Sequence, residues 1–184
     1  MRDVRVLADV VGEDCQILFC GINPGVMSGE TGFHFARPGN RFWKALALAG
    51  LTDRVLDPSE QNLLPNFGLG VTNLVSRVSA TAKEVTRDEL VAGAIELRDR
   101  VDRYRPKILA VLGLGAWRTA VDRRAEMGRQ EIAFGGATLF VLPNPSGLQA
   151  RYQLPELAQL FSEVGTARDE LESSPRPPRA ATAR

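Results

Sequence analysis

The sequence is short of groups that bind transition metals. His34 is its only histidine, and Cys15 and Cys20 are its only cysteines, in 184 residues. A zinc site built from nitrogen and sulfur needs about four such ligands at regular spacing. No metal centre is therefore expected, and the two cysteines read as reduced thiols of a cytoplasmic protein. Net charge is almost absent: 23 Lys and Arg stand against 22 Asp and Glu, giving +1. The chain is no polycation, so any contact with nucleic acid has to come from a local basic face. A neutral enzyme with a small-molecule substrate would have the same balance. No apolar run is long enough to span a bilayer, and MRDVR at the start has no signal-peptide core. Neither GxGxxG nor GxxxxGK[ST] occurs, which counts against a nucleotide enzyme built on a glycine-rich phosphate loop.

What is present suits one α/β domain with a sizeable core: 44% hydrophobic and 24% charged residues. Short apolar runs at 16–21 (QILFCG), 70–74 (GVTNL), 107–112 (KILAVL) and 138–142 (TLFVL) predict strands. Helical spacing of apolar residues predicts helices over 40–50, 86–103, 116–124 and 154–164. The clearest is 86–103. Thr86 and Glu89 form a capping box, and Leu90, Ala94, Leu97 and Val101 make one apolar stripe. Alternation of strands and helices predicts a mostly parallel sheet covered on both faces, a three-layer α/β/α sandwich. The domain is expected to span 1–167. From 168 the sequence loses large apolar residues and gains prolines (SSPRPPRAATAR), which predicts a disordered tail.

Ligands of open parallel sheets bind beyond the carboxyl ends of the strands. Two strands run straight into loops rich in proline and glycine, 21–25 (GINPG) and 143–147 (PNPSG), which should share one rim and face one cleft. Asn23 leaves its strand with a carboxamide able to hold a water, or it simply forms an Asn-Pro-Gly turn. The 28–40 stretch, SGETGFHFARPGN, reads as a long loop in which alternation would put Phe33 and Phe35 on one side. A ring there could shelve a flat base or close the core. His34 could serve as a donor near a leaving group, or as a hydrogen-bonded loop residue. Leu148, beside Gly147 and near Arg151, fits a wedge that fills the gap left by an extruded base, or a hydrophobic staple.

Four segments in order, GINPG (21–25), TGFHFARPGNRFWKAL (31–46), GVTNLV (70–75) and LPNPSGL (142–148), resemble the mismatch-specific uracil-DNA glycosylases and their thymine-DNA glycosylase relatives. The resemblance covers about 17–164. It implies a three-layer α/β/α fold with no metal or organic cofactor. The implied substrate is double-stranded DNA carrying G·U or G·T mispairs, and the expected state is a monomer. Asn23 matches the asparagine that positions the attacking water. Phe35 matches the ring that stacks on the flipped base. Ile22 and Ser28 contribute backbone to the base pocket, which Asn40 supports. Asn144, Ser146, Gly147, Leu148 and the adjacent Gln149 match the loop that enters the duplex. Arg151 stands one residue later than the family's arginine. His34 and Asn73 resemble the thymine-excising branch more than the bacterial uracil branch, which implies base contacts and a substrate range extending toward thymine or ethenocytosine. A carboxylate near the pocket would speed the reaction. Asp88 is the candidate for a secondary catalytic residue, ahead of Glu84 and Glu30, although a first-turn position also suits the helix dipole. Two other readings stay open: a uracil-DNA glycosylase that takes single and double strands alike, and a non-catalytic nucleic-acid binder with the same fold.

Overall fold

Every apolar run read as a strand becomes one. In the computed structural model, which describes residues 6–149 and 151–174, β1 (Ile17–Gly21), β2 (Leu69–Asn73) and β3 (Ile108–Leu112) are buried along their whole length. A short β4 (Gly128–Arg129) precedes β5 (Thr138–Leu142), which is buried from its second residue on. Continuous burial without polar alternation means that both faces of the sheet are covered. The helices doing so are α2 (Phe42–Leu48) and α5 (Leu154–Ser173) on one side, α3 (Arg87–Tyr104) and α4 (Leu114–Ala120) on the other. Successive residues of β1 serve opposite layers. Ile17 and Phe19 join Phe42, Leu46 and Phe161 in one core, while Leu18 and Cys20 join Leu97, Val101 and Trp117 in the other. The fold is therefore the expected three-layer α/β/α sandwich.

Strand order is β2-β1-β3-β5-β4, with all neighbours parallel except β4 against β5. The chain steps from β1 out to β2, then crosses back to β3 on the other side of β1. That reversal of winding lies between β1 and β3, and at such a point the loops diverge and leave a crevice above the carboxyl ends.

The helices differ from expectation at their ends. Thr86 does cap α3, accepting from the Glu89 amide at 3.2 Å, while Glu89 returns a carboxylate to the Thr86 amide at 2.8 Å. The 116–124 helix lies instead at Leu114–Ala120. α5 runs on to Ser173, past the predicted end at 164 and through the expected tail boundary at 168. The rest of that tail, 175–184, falls outside the described residues. The 28–40 loop is shorter than read: a six-residue helix, α1 (Val26–Thr31), ends at Gly32 in the left-handed region. Pro58–Phe67 forms 3-10 turns opened by an Asp57–Glu60 capping box.

Both thiols are free and buried. Burial pushes the Cys15 and Cys20 thiols up to about 12. Among the described residues no helix is long and apolar enough to cross a membrane.

Candidate active site at the sheet switch point

The loops after β1, β3 and β5 open onto one cavity of about 820 Å³. Gly21, Ile22 and Asn23 line it from β1, Leu112, Gly113 and Leu114 from β3, and Asn144, Ser146, Leu148 and Gln149 from the segment after β5. The two Asn-Pro loops thus share a rim, as the strand directions predicted.

Asn23 is held from the side by the segment that follows β2. Its Nδ2 donates to the Arg77 carbonyl at 2.9 Å and to Ser79 Oγ at 2.7 Å. A backbone carbonyl only accepts, so this contact fixes which end of the carboxamide is the amine. Oδ1 is then the acceptor of a carboxamide that lines the cavity. The support is itself stitched down. Leu74, Val75 and Ser79 amides donate to the carbonyls of Gly21, Ile22 and Pro24 at 2.8, 2.8 and 3.1 Å. Arg77 also pairs with Glu89 at 2.6 Å, and that hydrogen bond holds the Glu89 carboxyl down to about 2.

Phe35 has one face on the core and another on the cavity. Its ring packs on Phe42 with centroids 4.1 Å apart, and it lines the cavity. A φ of 51° puts Phe35 in the left-handed region, so the chain turns at this point. The alternation expected to align Phe33 with Phe35 does not exist, and Phe33 does not line the cavity. At Gly21 the absence of a side chain is a steric requirement. A Cβ there would lie 2.6 Å from Asn73 Oδ1 and 3.3 Å from the Phe35 ring.

His34 departs from its expected role as a donor at the base. It is only 1% exposed and is absent from the cavity wall. Nε2 lies 2.9 Å from the Ala8 carbonyl and Nδ1 lies 3.3 Å from Asn73 Nδ2. The carbonyl requires the proton on Nε2, which leaves Nδ1 to accept from Asn73. Burial lowers the His34 pKa, against the pull of the Ala8 hydrogen bond and the Asp9 charge. The neutral ring therefore orients Asn73, whose Oδ1 is turned toward Gly21; Asn73, expected at the base, is likewise buried and does not line the cavity. Ser28 is also buried away from the cavity. Its Oγ accepts from the Ala36 amide at 3.2 Å and so supports the turn that carries Phe35. Asn40 lines the cavity and accepts from the Phe42 amide at 3.0 Å, closing the start of α2.

In the segment after β5, Asn144 Oδ1 accepts from the Ser146 amide at 3.0 Å. Leu148 lines the cavity and is 66% exposed. Gly147 lies under it, with no room for a Cβ, which would meet the Gly39 carbonyl at 2.9 Å. Arg151 is exposed, sits over the Tyr152 ring and does not line the cavity.

The charged residues lining the cavity are Arg37 and Lys83, with no Asp or Glu among the described residues there. Asp88, the expected secondary carboxylate, is exposed in the first turn of α3, where it complements the helix N-terminus instead. Glu84 caps Thr81, and neither it nor Glu30 lines the cavity. Sequence reasoning missed Ser79, Arg77, Arg37 and Lys83. Ser79 and Arg77 act on a residue 56 and 54 positions away, and nothing in SRVSAT marks them. No group of His, Cys, Asp and Glu among the described residues could hold a metal ion.

A crevice at the switch point of a parallel sheet, with an aromatic shelf, fixed carboxamides and a cationic rim, defines a class of α/β protein that receives a flat heterocycle carried on an anionic backbone. The Uracil DNA glycosylase superfamily model matches residues 8–164. The chain belongs to that superfamily, and as a member it is a DNA glycosylase acting on uracil in base-excision repair.

Proposed function

We propose that the protein excises uracil mispaired with guanine in duplex DNA, extruding the base into the switch-point cavity and hydrolysing its N-glycosidic bond. The observation that carries this reading is the fixed carboxamide of Asn23. Its amine is tied to Arg77 and Ser79, so its acceptor is offered to a water in the cavity that Phe35 and Leu148 also line.

The chemistry follows from those groups. The everted base stacks on the Phe35 face left uncovered by Phe42, which is worth about 1–3 kcal/mol. Asn73 is buried off the cavity wall, so its part is to hold the β1–β2 rim beneath Gly21 rather than to touch the base. As the C1′–N1 bond breaks, the sugar gains positive charge and the base leaves as an anion. Water held by Asn23 adds to C1′ and gives up a proton to solvent or the departing base. Asparagine is no base, so proton abstraction contributes little and positioning contributes most. Slow turnover follows. Extrusion then sets selectivity, since a wobble-paired uracil leaves the stack at lower cost than one paired with adenine. Thymine opposite guanine and ethenocytosine are proposed as weaker substrates on the same grounds. Arg37 and Lys83 supply the local basic face that a chain of net charge +1 needs, and binding weakens as salt rises.

The test is single-turnover cleavage of labelled duplexes carrying G·U, A·U and G·T, together with single-stranded U, followed by alkali at abasic sites. The expected order of rates is G·U first, with G·T and A·U well behind. Equal rates on A·U and G·U overturn the mismatch reading, and selective binding without any abasic product overturns catalysis.

A further inference from the structure

The segment after β5 is held by one side chain from another layer. The Arg41 backbone amide donates to the Pro145 carbonyl at 3.0 Å. Its Nε donates to the same carbonyl at 3.3 Å, Nη2 to Ser146 and Gln149 carbonyls at 2.9 and 3.1 Å, and Nη1 to the Tyr152 carbonyl. Four carbonyls therefore converge on one half-buried guanidinium. Among the described residues, the segment's other hydrogen bonds shown are short-range: Asn144 to Ser146, Ser146 to Leu148 and Gln149, and Gln149 to Arg151. These shape the turn locally but do not attach it to the domain.

Arg41 itself is anchored by its chain neighbours. It immediately precedes α2, whose Phe42 and Trp43 are buried in the core. On its other side is Asn40, which lines the cavity. Leu148 is exposed and apolar, so nothing in its own packing keeps it aimed at the cavity.

We propose that Arg41 is the positioning residue for the wedge: it fixes the backbone at Pro145, Ser146, Gln149 and Tyr152 relative to the Phe35 shelf, so that Leu148 enters the duplex at the distance at which the displaced base reaches the ring. The proposal rests on the base-extrusion reading above. A lysine keeps the charge but presents donors from a single point and cannot span four separate carbonyls.

Two measurements on Arg41→Lys test it. In the free protein, hydrogen exchange at the amides of Ser146, Leu148 and Gln149 rises at least tenfold while exchange in β1 and β3 stays at the wild-type level. Unchanged exchange overturns the clamp, whatever the enzyme's substrate. In single-turnover assays the variant loses at least tenfold on a G·U duplex. It returns to within about threefold of wild type when uracil faces a pyrene nucleotide, which itself pushes the uracil out of the stack. Leu148→Ala behaves the same way, and the double variant is no slower than the slower single one. Equal losses on both duplexes, or losses that multiply in the double variant, overturn the positioning role. A wild-type protein that cleaves neither duplex overturns the proposed function instead, and the exchange experiment still decides the clamp.

Discussion

The same dipeptide, Asn-Pro, leaves two parallel strands on one rim and is put to different uses. After β1, Asn23 gives its amine to a neighbouring segment, the Arg77 carbonyl and Ser79 Oγ. After β5, Asn144 turns its acceptor onto the Ser146 amide of its own turn. There the loop is attached to the fold by an outside residue, Arg41. What the comparison teaches is that a motif fixes the direction of the chain but not the job of its side chain. The difference lies in the partner: a remote segment takes the Asn23 amine, whereas the Asn144 oxygen is taken by its own turn.

Substitutions break this comparison in graded steps. On the proposed mechanism Asn23→Ala removes the water's acceptor, and the single-turnover rate on G·U is expected to fall on the order of 100-fold, with DNA affinity nearly kept. A loss below threefold would refute the assignment. Ser79→Ala leaves Asn23 tied only to the backbone, and a loss of roughly tenfold in rate is expected, since one hydrogen bond is worth about 1 kcal/mol or slightly more. Asn144→Ala sharpens the contrast. It loosens a turn without touching the water, so a few-fold loss on G·U is expected, relieved on the pyrene duplex. Asp88→Ala is the smallest effect, with activity within twofold of wild type. A severe loss there, with Asn23→Ala intact, would move the catalytic role to the carboxylate.

Much of the fold was legible because its signals are local. Unbroken apolar runs marked β1, β3 and β5, and the Thr86–Glu89 pair marked the start of α3. β4 has two residues, Gly128 and Arg129, too few to show a period. The 3-10 turns at Pro58–Phe67 did carry a readable start, with Asp57, Pro58 and Glu60 in capping order, but Pro65 interrupts any helical stripe. In the site, Asn23, Phe35, Asn40 and Leu148 were legible from motif and resemblance, and all four line the cavity. The sequence left His34 between a donor at the base and a hydrogen-bonded loop residue, and could not choose because its partners Ala8 and Asn73 are distant in sequence. Arg41 and Ser79 escaped notice because their roles depend on contacts with remote segments, which leave no pattern in the sequence.

The two buried thiols have a practical consequence. Held near 12, they remain protonated at neutral pH and are poor targets for alkylating reagents or peroxide while the core is closed. Cys20 lies in β1, three residues before Asn23. Its rate of covalent labelling therefore serves as a clock for opening of the strand that carries the Asn23 loop, with no foreign probe attached.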